Sequence, residues 1–294
     1  MTLKVFQKGF NYSQDGQGNR LVYHLQGCNM KCPWCANPEG MKPGGVIYTD
    51  KEWLREELCP KGAVKAGKLD RTVCDNCKDR ECLSVKHRSK GIRLSCEERT
   101  VEEVYREIMS SSPMFYDGGG VTFTGGEATM QFEPLKELLV RLKEAGIHTA
   151  IETNGSNPRL PELFPYIDQL IMDCKHWDEE KHKKFTGVPL SEVLENLRKA
   201  ASEHGQVDVR IPLIGGVNDS EEDMEKFTEL FGTLSSLGNG GVTYEILKYH
   251  EFGKNKWEEC GLEYQMDETA HVTVEQIKKF RDMILSRGLT YKKS

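Results

Sequence analysis

No stretch of this 294-residue chain approaches the roughly 18 consecutive apolar residues that a membrane-spanning helix needs. The first eleven residues place Lys4 and Lys8 among apolar neighbours and lack the apolar core of a secretory signal, which predicts a cytoplasmic protein. A basic excess is also missing. The net charge is -6 and the pI about 5.8, which argues against a broad nucleic-acid-binding surface. Nor is the composition that of a disordered chain: 37% of residues are hydrophobic and aromatics occur throughout.

Cysteine, by contrast, is plentiful. Eight of the ten lie between Cys28 and Cys96. In a reducing compartment such clustering points to metal ligands rather than disulfides. Cys174 and Cys260 have no close cysteine neighbours and read as ordinary small side chains. Charge is uneven as well. Residues 51–100 carry 13 basic against 9 acidic residues, and the remainder 27 against 37. A segment of that sign suits a solvated face, an anionic group or an acidic partner.

The spacing of apolar residues predicts six strands: Leu21–Gln26, Val121–Thr124, His148–Glu152, Leu170–Asp173, Val207–Pro212 and Val242–Leu247. Between them run helices with readable starts. Thr100-Val-Glu-Glu103 and Thr273-Val-Glu-Gln276 are capping boxes, Ser220 precedes Asp223 at cap spacing, and Ser191 opens a helix to about Glu203. Phe132–Ala145 is amphipathic, with Pro134 in its first turn and Gly146 as its stop. This alternation predicts an α/β fold with a parallel sheet. Six strands are too few for a closed eight-stranded barrel, so an open, partial (β/α)6 TIM-like barrel is expected, with chemistry at the carboxyl ends of its strands. Residues 44–99 lack long periodicity and read as a Cys-rich insertion; residues 1–43 and 100–294 form the barrel.

Cys28-Asn-Met-Lys-Cys32-Pro-Trp-Cys35 follows the first of these strands. Three thiolates on a tight loop can hold three irons of a [4Fe–4S] cube and leave the fourth open to a ligand. A zinc site would want a fourth Cys or His nearby, and His24, within the strand, is the one candidate.

These three cysteines, with Trp34 before the last, match the radical SAM (S-adenosylmethionine) superfamily motif. The wider pattern resembles one branch, the glycyl radical enzyme activating enzymes. The resemblance rests on Asp15-Gly-Gln-Gly-Asn-Arg20, Asn37-Pro-Glu39, Thr124-Gly-Gly-Glu127, Glu152-Thr-Asn-Gly155, Asp173-Cys-Lys175, Lys181–Gly187, Arg210-Ile-Pro212 and Tyr249-His250. Three positions depart from it: Ala128 stands where the family usually has Pro, and Gln17 and Asn19 replace Pro and Ile.

Site roles follow from the resemblance. Gly125, Gly126 and Glu127 would meet the methionyl amino group of SAM, and Lys175 and Arg210 its carboxylate. Glu152, Asp173 and His250 would lie near the ribose or a monovalent cation, and Asn37 near the adenine. The implied electron donor is a flavodoxin or ferredoxin, and the implied protein substrate a glycyl radical enzyme whose glycine loses a hydrogen atom. No acid–base residue is needed for that central step.

Many members of the branch carry a ferredoxin-like insertion with two four-cysteine runs. Here only Cys59-Pro60 survives of the first run. The second keeps Cys74 and Cys77, with Arg80 at the third position and Cys82 as its replacement. The expectation is one auxiliary [4Fe–4S] cluster on Cys59, Cys74, Cys77 and Cys82, with Cys96 spare or displacing one of them. A structural zinc is the alternative. Two rival functions stay open: a radical SAM enzyme acting on a small molecule or another protein, and a non-catalytic iron–sulfur or zinc protein.

Overall fold

The computed structural model describes residues 1–84, 91–238 and 241–293. In chain order the strands and helices begin with β1 (Thr2–Tyr12), β2 (Asn19–Leu25), β3 (Ile47–Thr49), β4 (Val64–Lys65), β5 (Lys68–Leu69), α1 (Arg71–Cys74), β6 (Ile92–Leu94), β7 (Glu97–Thr100) and α2 (Val101–Ser111). They continue through β8 (Gly120–Gly125), α3 (Phe132–Glu144), β9 (Thr149–Thr153), β10 (Gln169–Asp173), α4 (Glu179–Thr186), α5 (Ser191–Glu203), β11 (Val207–Leu213), α6 (Glu221–Leu237), β12 (Val242–Lys248), α7 (Lys254–Glu259) and α8 (Val274–Ser286).

Eight strands form one sheet in the order β12-β11-β10-β9-β8-β2-β1-β7. The six expected strands make its parallel body, β2 through β12, and the barrel they describe is not closed. Their interiors are buried on both faces, as a parallel sheet covered by helices requires. Both capping boxes form: Thr100 with Glu103 and Thr273 with Gln276 satisfy orphan amides reciprocally.

The fold adds elements beyond those expected. β1 pairs antiparallel with β2 and with β7, extending the sheet at one edge. Leu3 and Val5 of β1 are buried, while its second half is largely exposed. Helices α4 and α7 are also new, and α7 proves central to the site.

Between residues 46 and 95 the chain makes two two-stranded sheets, β3–β6 and β4–β5. They surround a second, small core of Ile47, Leu54, Val64 and Ile92. β7, at residues 97–100, already belongs to the main sheet. No helix among the described residues is long and apolar enough to cross a membrane.

Candidate functional site

The carboxyl ends of the parallel strands converge on a cavity of about 320 Å3. Cys28, Cys32 and Cys35 line it on one side. Asp15, Glu152, Asp173, Lys175, Thr124, Gly125, Gly126, Asn37, Trp34 and His250 line it as well, with Lys175 close enough to the cysteines to act on their charge. Residues scattered over more than 200 positions meet because they sit at, or just past, the ends of several strands: the cysteines, Trp34 and Asn37 after β2, Thr124 to Gly126 at β8, Glu152 on β9, Asp173 and Lys175 at β10, and His250 after β12.

The cysteine loop is shaped by local hydrogen bonds. Cys35 N donates to Cys32 O at 3.1 Å. Met30 N donates to Cys28 Sγ at 3.4 Å and Asn37 N to Cys35 Sγ at 3.3 Å. Burial pushes the thiols of Cys28 and Cys32 up to about 12 and that of Cys35 to about 11. Without a cation the three sulfurs therefore stay protonated at neutral pH. A bound iron cluster would deprotonate them on ligation and release those protons. The nearby Lys175 favours the thiolates.

The donor set fits a cube better than a single ion. The three sulfurs are close enough to raise one another's proton affinity. Yet no group of three or more His, Cys, Asp or Glu among the described residues could hold one metal ion. A cube assigns each thiolate its own iron. His24, the fourth ligand a zinc would want, also lines the cavity; its ring packs 5.5 Å from Phe6 and its buried Nδ1 has no hydrogen-bond partner among the described residues.

Gly125 and Gly126 bring backbone against the cysteine loop. Gly125 has φ +121°, and an added Cβ on Gly126 would stand 2.3 Å from Gly27 O. Glu127 is buried. It accepts from Thr129 N and Oγ1, from Thr153 Oγ1 at 2.7 Å and from Asn154 N at 2.7 Å. Asn154 in turn directs its amide at Asn29 Oδ1 (3.0 Å) and Cys28 Sγ (3.9 Å). Glu127 thus fixes the loop after β9 against the cysteine loop.

Arg210 lies behind the cavity wall. Its guanidinium joins Glu152 Oε1 at 2.6 Å and Glu245 Oε2 at 2.8 Å, and it also donates to Gln14 O. Only 4% of the residue is exposed. Burial alone would raise the Glu152 carboxyl, but Arg210 and the Thr124 hydroxyl override that and hold it low. Lys175 Nζ pairs with Asp173 Oδ2 at 2.7 Å; burial disfavours its charge, while Asp173 and Cys32 more than restore it. His250 stacks on Phe252 at 4.2 Å. Trp34 packs against Phe185 at 5.9 Å.

Sequence reading assigned no role to Asp15, although it forms part of the cavity floor. Burial and the neighbouring Glu152 push its carboxyl up to about 6, against the opposing pull of Arg210. The folded state therefore holds the Asp15 proton more tightly than the unfolded chain does. The stability this contributes is complete below the ordinary value of 3.8 and is lost as pH rises through about 6. Asp15→Asn is expected to raise the thermal midpoint at pH 7.5 and to raise it much less at pH 5. Equal shifts at both pH values would show that Asp15 does not titrate in this way.

In the insertion, Cys59, Cys74 and Cys82 pack around the small core. Electrostatic coupling links Cys74 with Cys59 and Cys82, and Cys82 with Cys59 and Cys77. Cys96 stands apart, coupled instead to Lys4, Glu98 and Arg80, and beside Gly45. Cys174 and Cys260 are buried.

A family model described as the radical SAM superfamily matches residues 22–228. The 4-hydroxyphenylacetate decarboxylase activating enzyme of Clostridioides difficile (strain CD196) is 32% identical over 293 residues, covering 94% of this chain and 90% of its own. The (2S)-3-sulfopropanediol dehydratase activating enzyme of Klebsiella oxytoca is 34% identical over 269 residues, covering 86% and 83%. Among solved structures, a radical SAM methyltransferase from Sphaerobacter thermophilus superposes with TM-score 0.58 over 98% of this chain and 68% of its own. At 15% identity, that likeness speaks to fold alone.

Proposed function

We propose, from the premise that the chain belongs to the radical SAM superfamily and within it to the glycyl radical enzyme activating enzymes, that the cavity binds SAM against a [4Fe–4S] cluster held by Cys28, Cys32 and Cys35. When bound, that cluster supplies the electron that splits SAM into methionine and a 5′-deoxyadenosyl radical, which takes hydrogen from a glycine of a partner enzyme. The chain's own residues orient and shield. Gly125 and Gly126 offer backbone to the methionyl end, and Lys175 offers its ammonium to the carboxylate. Arg210 fixes Glu152, the residue expected near the ribose or a monovalent cation. Asn37, Trp34 and His250 frame the nucleoside.

Glu152, Glu245, Asp173 and Asp15 outnumber Arg210 and Lys175 around the floor, and this excess of acidic groups supports a monovalent cation there. The observation that carries the reading is the three cysteines lining one cavity together with polar residues from the ends of several strands. The open side of the sheet leaves a way in for a glycine loop.

The test is anaerobic incubation of reconstituted protein with SAM, a low-potential donor (flavodoxin or ferredoxin) and a panel of glycyl radical enzymes. The panel starts with 4-hydroxyphenylacetate decarboxylase, named for the relative above. A glycine-centred doublet in the electron paramagnetic resonance (EPR) spectrum is expected with one of them. SAM cleavage with no doublet across the panel would favour a small-molecule substrate.

The grouping of Cys59, Cys74, Cys77 and Cys82 supports a second [4Fe–4S] cluster, with Cys96 outside it. Reconstituted protein is then expected to hold about eight irons, and Cys74→Ala with Cys77→Ala about four. Four irons in the parent together with bound zinc would replace that cluster by a structural zinc.

A further inference from the structure

Helix α7 and the glycine before it touch both the SAM-site cysteine loop and the Cys-rich insertion. We infer that Gly253–Glu259 is a strut through which occupancy of the insertion's metal site sets the cysteine loop and so the affinity for SAM. The inference rests on the functional reading above and adds a role for residues outside the cavity.

At the barrel end the strut holds the backbone that follows the third cysteine. Trp257 Nε1 donates to Cys35 O at 2.8 Å. Lys256 Nζ donates to Asn37 Oδ1 at 2.9 Å and pairs with Glu39 Oε1 at 2.6 Å. The other oxygen of Glu39 is buried with no hydrogen-bond partner among the described residues, so Lys256 secures a carboxylate that packing has already desolvated. Gly253 approaches so closely that an added Cβ would stand 2.7 Å from Cys35 O.

At the other end the same short helix is gripped by the insertion. The carbonyl of Glu259 accepts from Arg71 Nη2 at 2.9 Å and from Thr49 Oγ1 at 3.2 Å, and the Glu259 carboxylate accepts from Tyr48 OH. Arg71 also donates to Ile47 O at 2.6 Å. Arg71 opens α1, and Cys74 closes it. A four-residue helix has little stability of its own. Metal on Cys74 would supply that order and hold the Arg71 guanidinium in place. A continuous line of contacts therefore runs from Cys74 through Arg71, Glu259 and Trp257 to Cys35. By linkage, the effect is reciprocal: bound SAM must tighten the insertion's hold on its metal.

The test is a cycle on reconstituted protein: the parent, Arg71→Gln, Cys74→Ala with Cys77→Ala, and all three substitutions together. SAM dissociation constants are measured by equilibrium titration, and the reduced SAM-site cluster is followed by EPR without SAM. Emptying the insertion and Arg71→Gln are each expected to weaken SAM binding about five-fold, the scale of one lost hydrogen bond, and the combination no further. Trp257→Phe, with all iron retained, is expected to change the EPR line shape in the same sense. Multiplying losses in the combined variant, or no loss on emptying, would overturn the strut. If the emptied protein also loses SAM-site iron, Arg71→Gln and Trp257→Phe decide: unchanged affinity and line shape in both would overturn it. A parent that binds no SAM would refute the function proposed above, while the SAM-free spectra still judge the strut.

Discussion

Cys32→Ala is expected to bring 5′-deoxyadenosine formation down to the level of the no-enzyme control and to remove about four irons. Cys32 is the most deeply placed of the three cavity cysteines, with 6% exposure, and its sulfur couples to both Cys35 and Lys175. Alanine leaves two thiolates, and two ligands on a cube that already has one open iron leave it poorly held. The fold should survive, because the loop is also fixed by the hydrogen bond from Cys28 N to Met41 O and by Lys31 N to Thr186 O. Circular dichroism would show this, and product would be followed by chromatography. Retained turnover in Cys32→Ala would refute the ligand assignment.

The largest effect on stability is expected from Arg210→Met. The guanidinium sits between two carboxylates, Glu152 on β9, two strands away beyond β10, and Glu245 across the β11–β12 ladder, where Arg210 and Glu245 are register partners. Removing one partner of a buried ion pair typically costs about 3–5 kcal/mol, because the remaining charge keeps its desolvation penalty. The thermal midpoint should fall by roughly 10 °C. The sign with pH follows. In the parent, Glu152 is held below its ordinary 4.5, so its contribution is present above that value and is lost as pH falls through it. In the variant the stranded carboxyls take up protons at higher pH, so the gap from the parent should narrow between pH 7.5 and 5.5. A gap of under 2 °C at pH 7.5 would show that the pair contributes little.

Much of this architecture was legible because its signals are local. Alternating strand and helix patterns gave the six parallel strands, and Thr100, Thr273 and Ser220 marked helix starts through caps that the structure forms. β1 escaped because only Leu3 and Val5 of its eleven residues are buried; its mostly exposed remainder, a mix of polar and aromatic residues, carries no sheet pattern strong enough to read. Helix α7 escaped because it spans only six residues and its value lies in what Trp257 and Lys256 touch about 220 positions away.

Site roles divide along the same line. The cysteine spacing placed three thiols together, since an eight-residue turn leaves them nowhere else to go. The partners of Glu127 were not legible, because its sequence neighbours cannot reveal that Thr153 and Asn154 from the next strand donate to its carboxylate. Asp15 went unassigned for a similar reason. Only the folding of its loop under β8 and β11, through Thr122 to Asp15 O and Arg210 to Gln14 O, lowers it onto the cavity floor.

By itself, the order of amino acids determined the α/β alternation, the compact thiolate turn and the clustering of a second cysteine group, since each depends on residues within a few turns or strands of one another. Tertiary structure decided which carboxylates face the cavity and which are consumed by Arg210, which cysteine is left outside the insertion's group, and that a six-residue helix touches both the cysteine loop and the Cys-rich insertion. Those outcomes depend on desolvation and on hydrogen bonds between distant strands, and neither exists until the sheet has assembled.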